Sequence, residues 1–536
     1  MQRLVYLFLL HLLLRSESKA QVAINSTATP AHSSAMLDVQ SNNRGFLPPR
    51  MDFSSLRAIP NPAAGLQVYD TTFNCLRYYN GTTWVRVSAE IKEPTSPLGE
   101  TVLYGDGTGF YANMGDMCAD SSANLYTTGW FSQPVQFGNY PLNVTGTQNI
   151  FLARYDKNGK VQWARQSTGT SIAVSRHVVM AAGGLYIYGE CGAGELTFSG
   201  TTVTIPASGA LFLARYDVNG SFSWVKTITG TGVMRCGGLA VSTDGNVYLG
   251  GNFTSSTVNF ATGFSLSNGT GLYDAFIAKY SAGGTVQWIK QLAGNGDDKI
   301  NDLVWYNNTI AATGYFESAS LTLNSFVLAN PGSLAQALVA KFDESGTCTY
   351  AQHAGTAGVA EIGKVLTVDE AGNLLIAGEF SGGNTSLLGT PLTLSGSTDI
   401  FLLRIPVSGA TGAWAVQSTA TETLVSIAYT PSFVYLSFNS MQPSSIVAAG
   451  RTYSLTPRGN SDVFVCRLFA FNPGIAQYQW LQQQGGVSND IVSTSCADPT
   501  GQNVYTGGTC FITPSFFGSL SLVNPGYYIW RYNVEQ

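Results

Sequence analysis

Four acidic residues stand at matching places ahead of a strand motif that recurs along this 536-residue chain. In one copy this motif is Asn246-Val-Tyr-Leu-Gly-Gly-Asn-Phe253, and its third position is Tyr248. The acidic residues lie on predicted loops about 14 residues before that position, and they are Asp297, Asp298, Glu361 and Asp490. Carboxylates that converge from different loops can hold a cation or a polar ligand, and two carboxyl groups can act as general acid and base. The alternative is that they are solvated turn residues, because the matching places in other repeats hold Ala112, Ile172 and Met234.

Two adjacent aromatic residues, Trp305 and Tyr306, interrupt a predicted hairpin in which the other repeats place Asp, Ser and Gly. We expect them on the face of the fold opposite the acidic loops, since the two ends of a strand lie on opposite faces. Exposed aromatic pairs can stack on sugar rings or on partner side chains. The other interpretation is that the pair caps the edge of a sheet.

Signatures of enzymes are sparse. The repeats contain His177 and His353, and they lack the His-Glu-x-x-His, Cys-x-x-Cys, Gly-x-Ser-x-Gly and phosphate-loop motifs. His177 falls on a predicted inner strand, where a structural role is the simpler interpretation. We therefore predict no catalytic residue, no cofactor site and no metal site. The net charge of −5 supplies no basic field for a polyphosphate, which argues against nucleic-acid binding.

The elements that position these residues form a long repeat. A hydrophobic strand that ends in a basic residue occurs seven times, as Phe151-Leu-Ala-Arg154, Phe212-Leu-Ala-Arg215, Phe276-Ile-Ala-Lys279, Leu338-Val-Ala-Lys341, Phe401-Leu-Leu-Arg404, Phe464-Val-Cys-Arg467 and Tyr528-Ile-Trp-Arg531. The steps between the basic residues are 61, 64, 62, 63, 63 and 64 residues. This period is too long for a solenoid turn and indicates the blades of a β-propeller. Because the basic residue is common to all repeats, we interpret it as scaffold.

A second motif, such as Asn246-Val-Tyr-Leu-Gly-Gly-Asn-Phe253, precedes each copy of the first by about 26 to 30 residues. With turns such as Asp156-Lys-Asn-Gly159, the two motifs predict four strands in each repeat. The seventh repeat lacks its fourth strand, and Thr101-Val-Leu-Tyr104 has the pattern of that strand. We therefore predict an all-β fold: a seven-bladed β-propeller of four-stranded blades over residues 101–536, closed by an N-terminal strand that joins the C-terminal blade.

A run of the type Phe276-Ile-Ala-Lys-Tyr280, followed by a Gly turn and Trp288, resembles the bacterial seven-bladed propeller repeat of the SBBP type. The resemblance covers residues 101–536. It implies a propeller fold and export to the cell surface or beyond. It implies no single activity, since propellers of related shape serve as adhesins, ligand platforms and enzymes.

The N-terminal part has a different character. Residues 1–20 combine a charged start, the apolar run from Leu4 to Leu14 and small residues before Gln21, which predicts a signal peptide. No later stretch is long and apolar enough to span a bilayer.

Residues 21–92 resemble the small β-rich N-terminal module of exported proteins from Bacteroidetes-type bacteria, which implies presentation at the cell envelope. The resemblance rests on Ala35-Met-Leu-Asp-Val39, Arg44-Gly-Phe-Leu-Pro-Pro-Arg-Met51, Gly65-Leu-Gln-Val-Tyr-Asp70 and Cys75-Leu-Arg-Tyr-Tyr-Asn-Gly-Thr-Thr-Trp-Val85. The last segment predicts a hairpin that turns at Asn80-Gly81 into Trp84. Residues 93–100, which contain two prolines, form a predicted linker.

Of the eight cysteines, Cys118 and Cys496 fall at equivalent inner-strand positions of the first and last blades, so they are the one pair to test for a disulfide. The alternative is that the cysteines are buried free thiols.

These observations together predict an exported, non-enzymatic binding or adhesion platform that is secreted, on the cell surface or in the periplasm. Its ligand is an unidentified protein or glycan, and the ring is expected to be monomeric. The alternative function is a carbohydrate-active enzyme that uses a carboxylate pair at the mouth of the propeller channel.

Overall fold

A computed structural model describes residues 21–52, 55, 56, 58–71, 75–81, 84–86, 101–104, 112–268, 272–394, 396–407, 412–418, 422–431, 433–441, 444–448, 451–469, 478–486, 489–510, 515–517, 520–522 and 526–533. The chain divides into two compact units, residues 1–89 and 90–536. Both units are built from β-strands. Within these described ranges, no helix has the length and apolar character needed to cross a membrane.

Short strands form the first unit: β1 (Val22–Ile24), β2 (Leu37–Val39), β3 (Arg50–Met51), β4 (Gln67–Asp70), β5 (Cys75–Tyr79) and β6 (Trp84–Arg86). β1 and β2 make a parallel pair, and β3 to β6 make a four-stranded sheet. The predicted hairpin is confirmed, with Tyr79 of β5 opposite Trp84 of β6. Arg77 Nε donates to the carboxylate of Asp70 at 2.8 Å, and both side chains are buried. The pairing compensates two charges that would be costly to bury alone.

The second unit contains the remaining described strands, in chain order. They are β7 (Thr101–Tyr104), β8 (Ala112–Ala119), β9 (Leu125–Phe131), β10 (Val135–Phe137), β11 (Tyr140–Leu142), β12 (Asn149–Tyr155), β13 (Val161–Thr168), β14 (Ala173–Ala181), β15 (Gly184–Cys191), β16 (Gly194–Phe198), β17 (Thr201–Ile205), β18 (Ala210–Asp217), β19 (Phe222–Gly230), β20 (Met234–Val241), β21 (Val247–Phe253), β22 (Val258–Ala261), β23 (Phe264–Leu266), β24 (Asp274–Tyr280), β25 (Val286–Leu292), β26 (Asp298–Tyr306), β27 (Thr309–Phe316), β28 (Ser320–Leu323), β29 (Phe326–Ala329), β30 (Gln336–Asp343), β31 (Cys348–Ala354), β32 (Ala360–Val368), β33 (Leu374–Ser381), β34 (Thr385–Leu387), β35 (Thr390–Leu392), β36 (Thr398–Ile405), β37 (Gly412–Ser418), β38 (Glu422–Thr430), β39 (Phe433–Ser440), β40 (Ser444–Ala448), β41 (Arg451–Leu455), β42 (Asp462–Phe469), β43 (Tyr478–Gly486), β44 (Asp490–Ala497), β45 (Asn503–Cys510), β46 (Ser515–Phe517), β47 (Leu520–Leu522) and β48 (Gly526–Asn533).

Seven groups of four antiparallel strands follow one another in this unit, and we number them as blades 1 to 7. Their orders are β8-β9-β12-β13, β14-β15-β18-β19, β20-β21-β24-β25, β26-β27-β30-β31, β32-β33-β36-β37, β38-β39-β42-β43 and β44-β45-β48-β7. The first strand in each order is the inner one, since the inner strands of consecutive blades contact each other. The fold is therefore all-β and resembles a β-propeller.

Blade 7 takes its outer strand from the start of the unit. β7 pairs antiparallel with β48 and places Thr101 opposite Arg531, which is the strand pairing that the sequence predicts. The inner strands of blades 7 and 1 also meet, because Thr494 Oγ1 donates to Asp116 Oδ1 at 2.7 Å.

The two recurring motifs form the second and third strands of the blades. In blade 3 every side chain of β21 and β24 is buried, as expected for strands covered on both faces. The basic residue that ends the third-strand motif lies over an aromatic ring of the second strand: the charged group and ring centroid are 5.6 Å apart for Arg154 and Tyr126, 5.6 Å for Arg215 and Tyr186, and 5.4 Å for Lys279 and Tyr248. These basic residues therefore help to pack the blades.

The sequence between the second and third strands is rich in Gly, Ser and Thr, and the structure has a short hairpin there in addition to the four predicted strands. In blade 2 this hairpin is formed by β16 and β17, and β16 pairs with β13 of blade 1. Leu196 and Phe198 of β16 are buried. The hairpin covers an otherwise open strand edge of the preceding blade, which explains why a connection of polar composition still contains alternating apolar residues.

Candidate functional site

The predicted acidic residues lie where the inner strands begin. Asp297 precedes β26 and is half-buried, whereas Asp298, Glu361 and Asp490 are buried at the start of β26, β32 and β44. Sequence reasoning missed Glu422, which is buried at the same place in β38. The same spacing ahead of the second-strand motif would have found it.

Burial corrects the interpretation of Asp298, Glu361 and Asp490 as solvated turn residues. Their backbone N–H groups donate to carbonyl oxygens of the preceding blade, at 2.7 Å to Tyr273, 2.8 Å to Ala335 and 2.8 Å to Ser461. The three carboxyl groups therefore belong to three different blade interfaces. Across the part of the chain that the structure describes, no cluster of three or more His, Cys, Asp and Glu side chains is placed to hold a metal ion.

Asp298 shares its interface with a second carboxyl group. Ser318 Oγ donates to Asp298 Oδ2 at 2.7 Å, and Gln291 Nε2 donates to Asp274 Oδ2 at 2.7 Å. Burial raises the pKa of Asp298 to about 6, and the charge of Asp274 in blade 3 adds to this effect. The interface between blades 3 and 4 therefore favours a protonated carboxyl group.

Glu361 accepts three hydrogen bonds through its carboxylate group. Gln336 Nε2 donates to its Oε2 at 3.0 Å, Thr356 N–H donates to Oε1 at 3.0 Å, and the hydroxyl group of Thr385 also donates to Oε1. Burial nevertheless raises the pKa of Glu361 to about 7, because these hydrogen bonds compensate only part of the desolvation. Glu361 thus joins blades 4 and 5 as a group that titrates near neutral pH.

Two further carboxyl groups link inner strands farther along their length. Asp116 Oδ2 accepts the N–H of Val178 at 3.0 Å, and Asp302 Oδ2 accepts the N–H of Leu366 at 3.0 Å. Burial raises the pKa of Asp116 to about 6 and that of Asp302 to about 7. Each side chain therefore connects its own blade to the next one.

Polar side chains near the end of the second strand make the same kind of link. The side-chain oxygens of Glu190, Asn252, Glu379 and Asn439 accept inner-strand N–H groups of the following blade, at 3.1 Å from Cys236, 2.8 Å from Ile300, 2.7 Å from Leu424 and 3.0 Å from Val492. Sequence reasoning missed this role, because the residue type changes between blades. The signal was positional: all four are the penultimate residues of the second-strand motif.

Cations on four inner strands lie beside these links. Arg176 and Arg235 approach Glu190, Lys299 Nζ lies 3.4 Å from Asp297 Oδ2, and Lys364 Nζ lies 2.6 Å from Glu379 Oε1. Lys299 Nζ also lies 4.1 Å from the ring centroid of Tyr273. Arg235 and Lys299 lie opposite the penultimate residue of the second-strand motif. Blades 2 and 5 have Val174 and Ile362 at that position, so the cations do not follow the seven-fold pattern.

Trp305 and Tyr306 end β26, beside the turn at Asn307 and Asn308. Both are half-buried. Trp305 packs against the core cluster that includes Leu303 and Ile310, and Tyr306 packs against the cluster that includes Leu366 and Leu374. Burial raises the pKa of Tyr306. Part of each ring is therefore structural, and a contact surface formed by the pair stays a prediction.

Replacing the pair with Ser at 305 and Asp at 306, as in sister hairpins, is expected to destabilise the protein by about 2 kcal/mol or more. The reason is that both rings lose apolar packing when they are truncated. Urea unfolding of the double variant and the wild type measures the difference. A loss of about 0.5 kcal/mol or less would assign the pair to the surface, as is usual for exposed substitutions.

His177, Cys118 and Cys496 fit structural roles. His177 stacks on Tyr188 with ring centroids 6.1 Å apart, and burial lowers the pKa of His177 to about 4. Cys118 and Cys496 are free, half-buried thiols, and burial raises the pKa of both. The neutral imidazole and the neutral thiols pack as weakly polar groups.

At the level of sequence, this chain is similar to a family model and to a viral protein. Residues 23–100 match the family model described as a phage tail like trimerisation region. An uncharacterized WD repeat-containing protein of Acanthamoeba polyphaga mimivirus is 30% identical over 146 residues, which is 25% of this chain and 10% of that protein. This chain thus spans about a tenth of the length of that relative.

Solved structures with low sequence identity to this chain are also similar to it. Hydrazine synthase of Kuenenia stuttgartiensis has a TM-score of 0.41 and 9% identity, covering 78% of this chain and 96% of that chain. The WD40 domain of Neurospora crassa Pan2 has a TM-score of 0.36 and 10% identity, covering 82% and 95%. Virginiamycin B lyase of Staphylococcus aureus has a TM-score of 0.35 and 10% identity, covering 81% and 98%.

Proposed function

We propose that this protein is an exported trimer whose propellers form a non-enzymatic binding platform for a protein or glycan. The pattern of residues 1–20 supports export. Two observations support closure of the seven blades into one propeller. β7 completes blade 7, and Asp116 of blade 1 accepts hydrogen bonds from both Thr494 of blade 7 and Val178 of blade 2.

The observation that carries the trimer is the surface of the first unit. In β1 and β2 the side chains of Val22, Ile24, Leu37 and Val39 are exposed. Parallel strands normally have both faces covered, and an isolated two-stranded sheet is marginal in water. The family model matched by residues 23–100 is described as a trimerisation region, so three copies of this chain are the occupants that fit. The proposal replaces the monomer that the sequence analysis expects.

Replacing both Ile24 and Leu37 with Asp is expected to convert the trimer into monomers, because two unpaired carboxylates cannot be buried in an apolar contact. Light scattering during size-exclusion chromatography measures the mass. The matched control is Val327→Asp, since Val327 is also exposed and apolar but belongs to β29 of the propeller unit. The control should remain trimeric. A monomeric wild type would contradict the trimer and leave the binding platform untouched.

The enzyme alternative requires a carboxylate pair at the channel mouth. The predicted acids Asp298, Glu361 and Asp490 are buried at separate blade interfaces, so the binding platform has more support. The two functions can be distinguished by probing a glycan array with the intact protein and then assaying hydrolysis of every glycan that binds. We expect binding without turnover. Turnover of any bound glycan would contradict the platform.

A further inference from the structure

We propose that Arg176 and Arg235, beside Trp130, bind the carboxylate group of an acidic saccharide at one mouth of the propeller channel. This inference rests on the proposed binding platform and names the class of its ligand. Arg176, Arg235 and Trp130 are not among the site residues that the sequence predicts.

Three consecutive blades contribute to the subsite. Trp130 is the penultimate residue of β9 in blade 1, and Glu190 is the penultimate residue of β15 in blade 2. Arg176 lies at the register shift of β14, and Arg235 is the second residue of β20 in blade 3. Second strands end at the face where inner strands begin, so these side chains meet near one rim of the inner strands.

The charges in the subsite are unequal. Arg176 Nη2 lies 4.0 Å and Arg235 Nη1 lies 3.7 Å from the same oxygen atom, Glu190 Oε2. The other oxygen, Oε1, accepts the N–H of Cys236 at 3.1 Å, which fixes the carboxylate in place. Two guanidinium groups therefore share one carboxylate and leave a surplus of positive charge.

The two arginines are also accessible. Their side chains are 45% and 57% exposed, whereas that of Glu190 is 19% exposed. A guanidinium group has five N–H donors, and a carboxylate is its best-matched planar acceptor. An anion that arrives from solvent therefore meets donors on both arginines, with the opposing carboxylate set behind them.

Trp130 favours a saccharide over an acidic peptide. The guanidinium carbon of Arg176 lies over the Trp130 ring, 5.2 Å from its centroid, so the cation covers part of one face of the half-buried indole and the exposed remainder of the ring lies next to it. An aromatic ring can stack on the apolar face of a sugar while an adjacent arginine contacts its carboxylate. A uronic-acid residue has both features in one ring, and an acidic peptide has only the carboxylates.

Blade 5 contains a related arrangement without the surplus charge. Lys364 Nζ lies 2.6 Å from Glu379 Oε1, and the same oxygen accepts the N–H of Leu424 at 2.7 Å. One cation faces one carboxylate here. Lys364→Gln is therefore a matched control, since it removes a cation from an inner strand without changing the proposed subsite.

Isothermal titration calorimetry of the intact protein tests the subsite with three probes: a galacturonic acid trisaccharide, its methyl ester and a tri-aspartate peptide. The acid trisaccharide is expected to bind. The ester should bind roughly tenfold more weakly or worse, because it cannot form charge-assisted hydrogen bonds. Arg235→Gln should weaken the acid trisaccharide by a similar factor of about ten and leave the ester unchanged, and Lys364→Gln should change neither.

A variant that is expected to bind the acid trisaccharide more tightly distinguishes loss of the subsite from a general loss of structure. Glu190→Gln keeps an oxygen acceptor for the Cys236 N–H and removes the competing negative charge, so it should tighten the acid trisaccharide by several-fold, on the order of 3 to 10. Equal binding of acid and ester, unchanged binding in Arg235→Gln, or weaker binding in Glu190→Gln overturns the inference. So does tighter binding of the peptide, which would indicate an acidic protein partner. If the protein binds other glycans or proteins but does not bind the acid trisaccharide, the subsite is overturned and the proposed binding platform is not.

Discussion

Removing residues 21–104 is expected to abolish the cooperative fold of the propeller unit, whereas removing residues 21–92 is expected to leave it intact. The two truncations differ by the predicted linker and by β7, which pairs with β48 in blade 7. Tyr528, Ile529 and Trp530 of β48 are buried. Loss of β7 would leave an unpaired strand edge beside these apolar side chains and would open the blade that joins the two ends of the unit.

Thermal unfolding of the two truncations and the mature chain measures this effect. We expect the longer truncation to aggregate, or to melt more than roughly 10 °C below the mature chain, which corresponds to several kcal/mol. The shorter truncation should melt with the mature chain, because residues 1–89 and 90–536 are separate compact units. Equal melting temperatures for both truncations would show that β7 is dispensable and would contradict a propeller closed by its first strand.

Replacing Glu361 with Gln is expected to stabilise the protein above neutral pH and to have little effect near pH 5. Burial raises the folded-state pKa of Glu361 to about 7, above its usual value. The folded state therefore binds a proton that the unfolded chain has released, and stability falls as the pH rises from about 4.5 towards 7. Above that range the charged Glu361 costs about 3 kcal/mol relative to a neutral group, at 1.36 kcal/mol for each pKa unit.

Urea unfolding of wild type and variant at about pH 5 and about pH 8 tests this linkage. Gln should preserve the size of the side chain and an acceptor for Thr356 and Thr385, so the variant should gain up to about 3 kcal/mol over wild type at the higher pH only. Glu195→Gln is the control, since the Glu195 side chain is an exposed carboxylate. His177, with a pKa lowered to about 4, affects wild type and variant equally. A difference that is the same at both pH values would contradict the titration of Glu361.

The strands of this protein could be predicted from the sequence because of how they are buried. The second and third strands are covered on both faces, so they appear as largely apolar runs that recur with each blade, as in Val247–Phe253 and Asp274–Tyr280. The outer strand Thr101–Tyr104 is also predictable, because its residues have the pattern of the fourth strands in the other repeats, and its pairing with β48 confirms the prediction. The hairpins between these strands were missed, since their short alternating pattern resembles a polar connection.

The candidate sites depended much more on the tertiary structure. Asp298 and Glu361 have the composition of loop residues, and only the contact with the preceding blade shows that they are buried and hydrogen-bonded. Likewise, Arg176 and Arg235 belong to different repeats, and they meet at Glu190 because inner strands converge. The sequence by itself determined the repeat, the strand order and the pairing of the first and last strands of the second unit, since those follow from local apolar patterns. Tertiary structure alone decided which polar side chains face one another, because that depends on how residues about one blade apart in the sequence pack together.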